Sequence, residues 1–363
     1  PDVGSPSFSR NSTAYLSDGT LVNTNRPRFE QGKFGKAVMV EEGTTNLLVK
    51  NLGASGVGSI IDILVPNKVW AKRITVEANN YFVFGKISVP AQPNTKYTLT
   101  YWARLVSGSV VSGTQIYIGS NSQGIQGVAL LNIDTELTSE WKKFVITGQT
   151  DANVTTLTRA AFRVQTNTGC TVEIADWQLE SKPYPTSFID GTRSAETLTI
   201  PTAGILNPQE GTVECWVYLD GDILATSPAA NHYIFAHSSN PATLANVIAL
   251  ARKPGSDGTN LWRFFTSDAT GQESQVNVQW VATIGWHYFA ARWSTTELAL
   301  FIDGTKVGSI NNPKLPGALA SNIYIATWAD GHLWLDSLID DLRISSIARS
   351  DEEIQRNGVV ING

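Results

Sequence analysis

Charged residues are scarce in this chain, and what it lacks excludes several classes of protein. Only 16% of its 363 residues are charged, against about 25% in typical proteins. The net charge is −5 and no run of lysine or arginine occurs. The sequence therefore lacks the basic surface that a nucleic-acid partner requires. No stretch approaches the roughly 18 apolar residues that predict a membrane-spanning helix, so we expect no membrane insertion.

Cysteine and histidine are also few, which excludes sites built on them. The two cysteines, Cys170 and Cys215, lie in different halves, so they cannot supply a disulfide framework or a zinc site. Buried single thiols are the simpler interpretation. None of the four histidines belongs to an HExxH motif, which binds zinc in metalloproteases. No nucleophile elbow, phosphate loop or paired-carboxylate strand of a glycoside hydrolase is present, so we expect no enzyme.

Short runs of alternating residues dominate what is present. Rich in β-branched and aromatic side chains, they are typical of β-strands. They lie at Lys96–Arg104, Gln115–Ile118, Lys143–Thr147, Thr212–Tyr218, Glu297–Ile302 and Asn322–Ala326. Asp303–Gly304 predicts a two-residue hairpin turn. The capping box at Ser350–Glu353 predicts one or two helical turns.

These patterns predict an all-β fold of two tandem antiparallel β-sandwich (jelly-roll) domains. The alternation stops at Pro183–Thr197, which contains two prolines and a glycine turn. We therefore predict a loosely assigned N-terminal arm at residues 1–40, a first sandwich at 41–190 and a second at 191–363.

Five motifs occur in order in the second half. They are GTVECWV (211–217), GWHYFAA (285–291), LFIDGTK (300–306), LIDDLRI (338–344) and SDEEI (350–354). Together they resemble the laminin-G-like, concanavalin A-like jelly-roll family over about residues 196–357. The ordered set is specific for the fold and not for one function, because lectin modules, spacers and hydrolases share it.

The first half resembles jelly rolls of the carbohydrate-binding-module type. The matching pieces are EGTTNLL (42–48), YTLTYWA (97–103), EWKKF (140–144), VEIADWQLE (172–180) and YPTSFIDG (184–191). The order of arm, NLL segment and TSFID exit is also similar to phage tail and bacterial surface adhesin proteins. That likeness implies an extracellular, cell-surface or virion location.

The combined sequence predicts a non-catalytic, lectin-like protein that recognises a polysaccharide or cell-surface glycan. Two alternatives stay open. The chain could be a structural spacer of a tail or surface layer, or an accessory region of a larger glycoside hydrolase. A homo-oligomer or larger assembly fits these settings, although no heptad repeat supports one.

Sugar recognition requires flat aromatic faces together with polar groups for hydroxyls, usually on loops of a rigid scaffold. Most tryptophans lie inside strand motifs and are expected in the core. The segment from Trp328 to Trp334 instead joins two predicted strands through a polar turn. The sugar-binding candidates are Trp328, Asp330, His332, Trp334, Trp262, Trp280, Trp70, Tyr81 and Tyr117.

Three carboxylates are candidates for a structural Ca²⁺ ion. Asp176 lies in the last predicted strand of the first sandwich, and Asp340 and Asp341 lie in that of the second. In both resembled families an acidic residue of this strand often helps to hold calcium. Backbone carbonyls, which a sequence cannot reveal, would complete such a shell. Hydrogen bonding at a strand end is the alternative role.

Overall fold

The chain folds into antiparallel β-sheets, described by a computed structural model at residues 5–119, 127–220, 231–254 and 260–359. The predicted all-β class is confirmed. Two compact units divide the chain. Unit 1 comprises residues 1–13, 22–43 and 194–363, and unit 2 comprises residues 14–21 and 44–193. Among the described residues, no helix is long and apolar enough to cross a membrane.

The strands are short in the first 70 residues and longer beyond them. The first seventeen are β1 (Ser7–Ser9), β2 (Ala14–Tyr15), β3 (Leu21–Val22), β4 (Arg28–Gln31), β5 (Lys36–Val40), β6 (Thr44–Thr45), β7 (Gly53–Gly56), β8 (Gly58–Asp62), β9 (Ala71–Val76), β10 (Asn80–Pro90), β11 (Lys96–Gly108), β12 (Gln115–Gly119), β13 (Gly127–Asn132), β14 (Lys142–Gln149), β15 (Thr156–Thr166), β16 (Cys170–Glu180) and β17 (Thr192–Arg193). The rest are β18 (Thr197–Pro201), β19 (Gly211–Leu219), β20 (His232–His237), β21 (Ile248–Pro254), β22 (Asn260–Ser267), β23 (Glu273–Gln279), β24 (Gly285–Trp293), β25 (Glu297–Ile302), β26 (Thr305–Asn311), β27 (Asn322–Ile325) and β28 (Ser337–Ser345).

All six alternating runs form strands, and both local signals are confirmed. Ile302 pairs with Thr305 across the predicted turn, where Asp303 and Gly304 have φ values of 49° and 76°. Such left-handed pairs suit the twist of a hairpin. Helix α1 (Asp351–Gly358) follows β28, and both hydrogen bonds of its capping box form.

Unit 2 is a sandwich of two five-stranded sheets. Their strand orders are β14-β11-β16-β9-β8 and β13-β12-β15-β10-β7. The apolar residues that alternate along both sheets meet in one core, which includes Phe84, Tyr101, Phe162 and Trp177. Thus one face of each sheet is buried, and the other is left for surface functions.

Unit 1 is a sandwich of two seven-stranded sheets. Their orders are β26-β25-β24-β19-β28-β5-β4 and β1-β18-β27-β20-β21-β22-β23. Its core lies between them and includes Val217, Phe264, Phe289 and Trp293.

Ten strands of each unit follow one common order. The row β14-β11-β16-β9-β8 of unit 2 corresponds to β24-β19-β28-β5-β4 of unit 1. The row β13-β12-β15-β10-β7 corresponds to β21-β20-β27-β18-β1, and corresponding strands also follow the same sequence order. Unit 1 adds two hairpins, β22–β23 and β25–β26. The units are therefore two versions of one topology.

A matching bulge lies in the last strand of both units. In β16 the register shifts around Asp176, and in β28 it shifts around Asp341. Both aspartates have positive φ, 43° and 49° respectively. Asp tolerates this backbone region better than most residues, and a bulge inserts one extra residue that bends its strand.

Unit 1 is discontinuous in sequence. In the region expected to be an arm, β1 pairs with β18 and β5 pairs with β28. Residues 22–43 accordingly cluster with 194–363, and the larger part of unit 2, residues 44–193, is inserted in sequence between β5 and β18. Strand periodicity carries no signal for pairing across so long an insertion.

A buried charge network links the three sequence segments of unit 1. Glu196 accepts hydrogen bonds from Arg10 at 2.8 Å and from Arg28 at 2.7 and 2.8 Å, and Arg28 also pairs with Glu41 at 2.6 Å. All four side chains are buried. Burial makes charges costly unless they are paired, so these residues hold each other in place.

Candidate functional site

Two of the predicted sugar-binding residues, Tyr81 and Tyr117, lie on one outer face of unit 2. Alternate residues of β15 point away from the core there. Ala161 pairs with Tyr117 on β12, and Gln165 pairs with Tyr81 on β10. We call this surface the β15 face. It consists of Tyr81, Val83, Gln115, Tyr117, Arg159, Ala161, Arg163 and Gln165.

The centre of the β15 face is low and apolar. Val83, Tyr117 and Ala161 form a small cluster separate from the core. Beside them β10 bulges at Gly85, whose φ is 114° and where an added Cβ would lie 2.2 Å from the Ala160 carbonyl oxygen. Only glycine fits this close approach of two backbones. The face thus has a shallow floor formed by the Tyr117 ring and two smaller side chains.

Arg163 is held in place over an exposed aromatic ring. Its guanidinium carbon lies 4.8 Å from the centroid of the Tyr81 ring, and its Nη2 donates to Gln165 Oε1 at 2.9 Å. Stacking on an aromatic face and a fixed hydrogen bond both restrict the guanidinium. Its buried Nε has no hydrogen-bond partner in the described part of the chain.

Arg159 is at the other end of the same row of β15. Its Cβ and Cγ pass over Gly119, with 3.6 and 3.9 Å to the position that a Cβ at residue 119 would occupy. Burial raises the pKa of Tyr117, and the charges of Arg159 and Arg163 partly oppose that rise. The Tyr117 hydroxyl therefore stays protonated at neutral pH and is able to donate a hydrogen bond.

The chemistry of the β15 face suits a polyhydroxylated ligand. Tyr81 is 47% exposed and offers a flat apolar ring with a hydroxyl at its edge. Beside the ring, the guanidinium groups donate hydrogen bonds, and the Gln165 amide both donates and accepts them. Sequence reasoning missed Arg159, Arg163 and Gln165. Their intervals of four and two residues place them on one face of a strand, and this signal was readable from the sequence.

The predicted segment from Trp328 to Trp334 is divided by the structure. The Trp328 ring packs on Tyr233 and Phe265, with centroids 4.7 and 6.4 Å apart, and is 6% exposed. Asp330 and His332 are exposed and in contact at 2.9 Å. Trp334 is 6.2 Å from His332 between ring centroids. Asp330, His332 and Trp334 thus lie together, whereas Trp328 serves packing.

The backbone around this segment is strained. Ala326, Leu333 and Asp336 all have φ near 60°, a region that costs a residue with a side chain roughly 1–3 kcal/mol. Hydrogen bonds hold the turn, since the Trp328 amide donates to the His332 carbonyl oxygen at 2.8 Å. Strain of this kind often accompanies functional loops, so this segment is a second place where a ligand could bind.

The remaining predicted tryptophans contribute mainly to packing. Trp262 is fully buried in the core of unit 1. Trp280 is partly buried, with its ring centroid 5.9 Å from that of Trp262. Trp70 is buried against Trp177 and Phe188 in unit 2. Contact of Trp262 or Trp70 with a sugar would require them to become exposed, and their predicted roles stay predictions.

Five of the six oxygens of the three candidate calcium ligands already accept hydrogen bonds within the protein. Asp176 Oδ1 accepts from the amides of Val69 and Trp70, both at 2.9 Å. The two oxygens of Asp340 accept backbone N–H groups, and those of Asp341 accept from Arg343.

No group of three or more His, Cys, Asp or Glu side chains that could hold a metal occurs within the described ranges. Calcium binds six to eight oxygens. These carboxylates instead stabilise the bulges, and calcium binding remains an untested prediction.

The second half of the chain matches a known protein family. Residues 190–355 match a laminin G family model described as the concanavalin A-like lectin/glucanases superfamily. This match confirms the resemblance predicted from the five motifs. It covers less than half of the chain, so the resemblance predicted for residues 41–190 stays a prediction. No curated protein matches the chain.

Three solved structures illustrate the likeness at the level of structure. A heptameric SAP-like pentraxin from Limulus polyphemus is 14% identical, with 43% of this chain and 72% of that chain covered and a TM-score of 0.33. Domain 4 of AbnA, a GH43 extracellular arabinanase from Geobacillus stearothermophilus solved with arabinotriose, is 18% identical, with 49% and 81% covered and a TM-score of 0.34. The CBM40 of a Ruminococcus gnavus IT-sialidase is 10% identical, with 42% and 84% covered and a TM-score of 0.33. At these identities and scores the likenesses carry no argument about function.

Proposed function

We propose that this protein binds carbohydrate without cleaving it, and that the β15 face of unit 2 is the binding site. The observation that carries the proposal is the arrangement of Tyr81, Arg163 and Tyr117. An exposed ring, a fixed guanidinium and a protonated hydroxyl surround a shallow floor. Such a surface pairs with both the apolar and the hydroxylated sides of a sugar ring.

The proposal of a non-catalytic role draws support from Glu214, a carboxylate in the segment that matches the lectin and glucanase superfamily. Glu214 is fully buried, and its Oε1 accepts hydrogen bonds from the Tyr288 hydroxyl and from Asn357 at 2.9 Å. Arg349 lies 3.3 Å from its other oxygen. A carboxylate bound in this way is not presented to a substrate, as a glycosidase acid or nucleophile must be.

The setting we propose is an extracellular or virion-bound adhesin that recognises a glycan on a cell surface. The low content of charged residues supports this setting, because hydroxylated ligands are recognised largely through aromatic and neutral hydrogen-bonding groups. The sequence likeness of the first half to tail and adhesin proteins points the same way.

A glycan array tests the proposal directly. The intact chain is expected to bind at least one glycan, and Tyr81→Ala is expected to weaken that binding by tenfold or more. Phe29→Ala is the matched control, because Phe29 is 48% exposed, as Tyr81 is 47%, and belongs to unit 1. It should leave binding unchanged.

Three results would contradict the proposal. Absence of binding to every glycan would overturn the carbohydrate-binding function itself. Loss of binding in His332→Ala with no loss in Tyr81→Ala would move the site to the Trp328–Trp334 segment. Release of reducing sugar from a bound polysaccharide would overturn the non-catalytic part.

A further inference from the structure

The sheet that carries the β15 face contains no acidic residue. The five strands β7, β10, β12, β13 and β15 include neither Asp nor Glu, although the whole chain has more acidic than basic residues. The same strands contain three cations, Lys86, Arg159 and Arg163. The sheet is therefore a local region of positive charge in a chain whose net charge is −5.

Within the described part of the chain, the two arginines of this face have no carboxylate partner, unlike other arginines of the protein. Arg73 and Arg104 both pair with Glu173, and Arg263 pairs with Glu273. In the described ranges Arg159 instead donates to the Thr158 carbonyl oxygen at 2.9 Å, and Arg163 donates to the neutral amide of Gln165. Their charges are uncompensated by any ion pair among the residues that the structure describes.

The spacing of the arginines fits a ligand that extends along the strand. They are four residues apart on β15 with Ala161 midway, so their Cα atoms are about 13 Å apart. Between them lies the apolar floor of Val83, Tyr117 and Ala161. One guanidinium at each end of an apolar floor matches a chain of several sugar rings that carries anionic groups.

We propose that the ligand of the β15 face is an acidic oligosaccharide, whose carboxylate or sulfate groups pair with Arg159 and Arg163 while its sugar rings lie over Tyr81 and Tyr117. This inference rests on the proposed carbohydrate-binding function and adds the charge of the ligand. Arginine forms two parallel hydrogen bonds to a carboxylate or sulfate and is the cation best suited to bind such groups.

The test compares matched acidic and neutral probes on the intact chain. The acidic probes are galacturonate oligomers, sialyllactose and chondroitin sulfate oligosaccharides. Their neutral partners are methyl-esterified galacturonate oligomers, lactose and desulfated, carboxyl-reduced chondroitin. We expect binding to at least one acidic probe that exceeds binding to its neutral partner by tenfold or more, and that weakens as salt rises from about 50 to 500 mM.

Arginine variants then test whether Arg159 and Arg163 bind the anionic groups of the ligand. Arg163→Gln and Arg159→Gln should each weaken acidic binding by about ten- to a hundredfold, since hydrogen bonds between charged groups are lost. Arg163→Lys should retain part of the acidic binding, because the positive charge remains although the paired N–H donors of the guanidinium are lost. Arg73→Gln is the matched control on the other sheet of unit 2 and should bind as the unchanged protein does. Circular dichroism checks that each variant is folded.

Each other outcome has a distinct meaning. Equal binding of acidic and neutral partners would overturn the charge inference and leave the carbohydrate-binding function standing. Failure of every acidic and neutral probe would overturn both. Tighter binding of a single-stranded oligonucleotide than of any saccharide would also overturn the inference, because it would show that the cations bind phosphates of another class of molecule. Acidic binding that survives both glutamine variants would place the anion site elsewhere.

Discussion

The two units share a ten-strand order, yet the outer faces of their corresponding sheets differ. In unit 1 the sheet containing β20, β21 and β22 is covered on its outer side. There Trp328 and Leu333 pack over Tyr233, Phe265 and several alanines. In unit 2 no such cover lies over the β15 face among the residues that the structure describes, and Tyr81 is exposed. Strand order alone therefore does not determine what a sheet face does, because one connecting segment can turn a surface into an interior.

The units also differ in how they treat a carboxylate that binds two arginines. Glu196 of unit 1 and both its partners, Arg10 and Arg28, are shielded from solvent. Glu173 of unit 2 is buried, but the side chains of Arg73 and Arg104 remain 44% and 36% exposed. Loss of one charge should therefore cost more unfolding free energy in the buried network around Glu196 than in the partly exposed network around Glu173.

The largest effect is expected for Glu196→Gln. This change keeps the shape but removes the negative charge that the two buried arginines share, so unit 1 should lose about 3–5 kcal/mol of unfolding free energy. Glu173→Gln in unit 2 should cost only about 1 kcal/mol, since water can solvate its partners. Urea titrations with hydrogen exchange read per peptide measure both. Equal losses would show that burial does not separate the two networks.

A smaller loss is expected when the cover of the unit 1 sheet is removed. Trp328→Ala should destabilise unit 1 by about 3 kcal/mol, because a packed aromatic ring is lost. Tyr81→Ala on the open face should change stability by no more than about 0.5 kcal/mol. Thermal unfolding of both variants is the measurement. A large loss of stability in Tyr81→Ala would mean that the β15 face is structural.

Acid should destabilise unit 1 selectively, because the two histidines whose pKa is lowered by burial, His232 and His237, both lie in it. Burial lowers the pKa of His237 to about 4, and its Nε2 accepts a hydrogen bond from the Ala320 amide. The unfolded chain then binds a proton that the folded one does not, so stability is full above pH 6.5 and falls between 6.5 and 4.

His287 opposes this trend, since its contact with Asp303 raises its pKa and its contribution is lost as pH rises. The net loss on acidification from pH 7 to 4 should be about 2 kcal/mol. Hydrogen exchange at both pH values separates the units. A loss confined to unit 2 would contradict the assignment, and His237→Gln should flatten the dependence in unit 1.

The smallest effect is expected from calcium. Removal with EDTA should shift the stability of either unit by less than about 0.5 kcal/mol, because five of the six oxygens of Asp176, Asp340 and Asp341 already accept N–H groups. The melting temperature measured by calorimetry with and without about 5 equivalents of CaCl₂ checks this expectation. A clear rise in melting temperature with calcium would restore the calcium site predicted from the sequence.

Local signals in the sequence predicted the strands, the Asp303–Gly304 hairpin and the α1 cap, because each depends on neighbouring residues only. The pairing of β5 with β28 was not readable, since alternation tells which face of a strand is buried and not which strand lies beside it. The common order of the two units was hidden for the same reason.

The candidate site was predictable in part. Tyr81 and Tyr117 were selected because they lay outside the family motifs, and the structure places them on one face. Trp70 and Trp262 were selected on similar grounds but are buried. An aromatic residue in a strand pattern can lie in the core or on the surface. Arginines four residues apart in a strand, by contrast, indicate which face points to solvent. Charge pattern was the more informative signal.

The discontinuity of unit 1 has a consequence for the time course of its synthesis. Val38 of β5 pairs with Ile339 of β28, and at about 5–20 residues per second a ribosome needs about 15–60 s to make the chain between them. Unit 2 is complete well before its host. During that interval β4 and β5 have unpaired edges, which invite pairing with another chain. The same delay allows two nascent copies to exchange β4 and β5, so these strands are the part of unit 1 most exposed to misassembly.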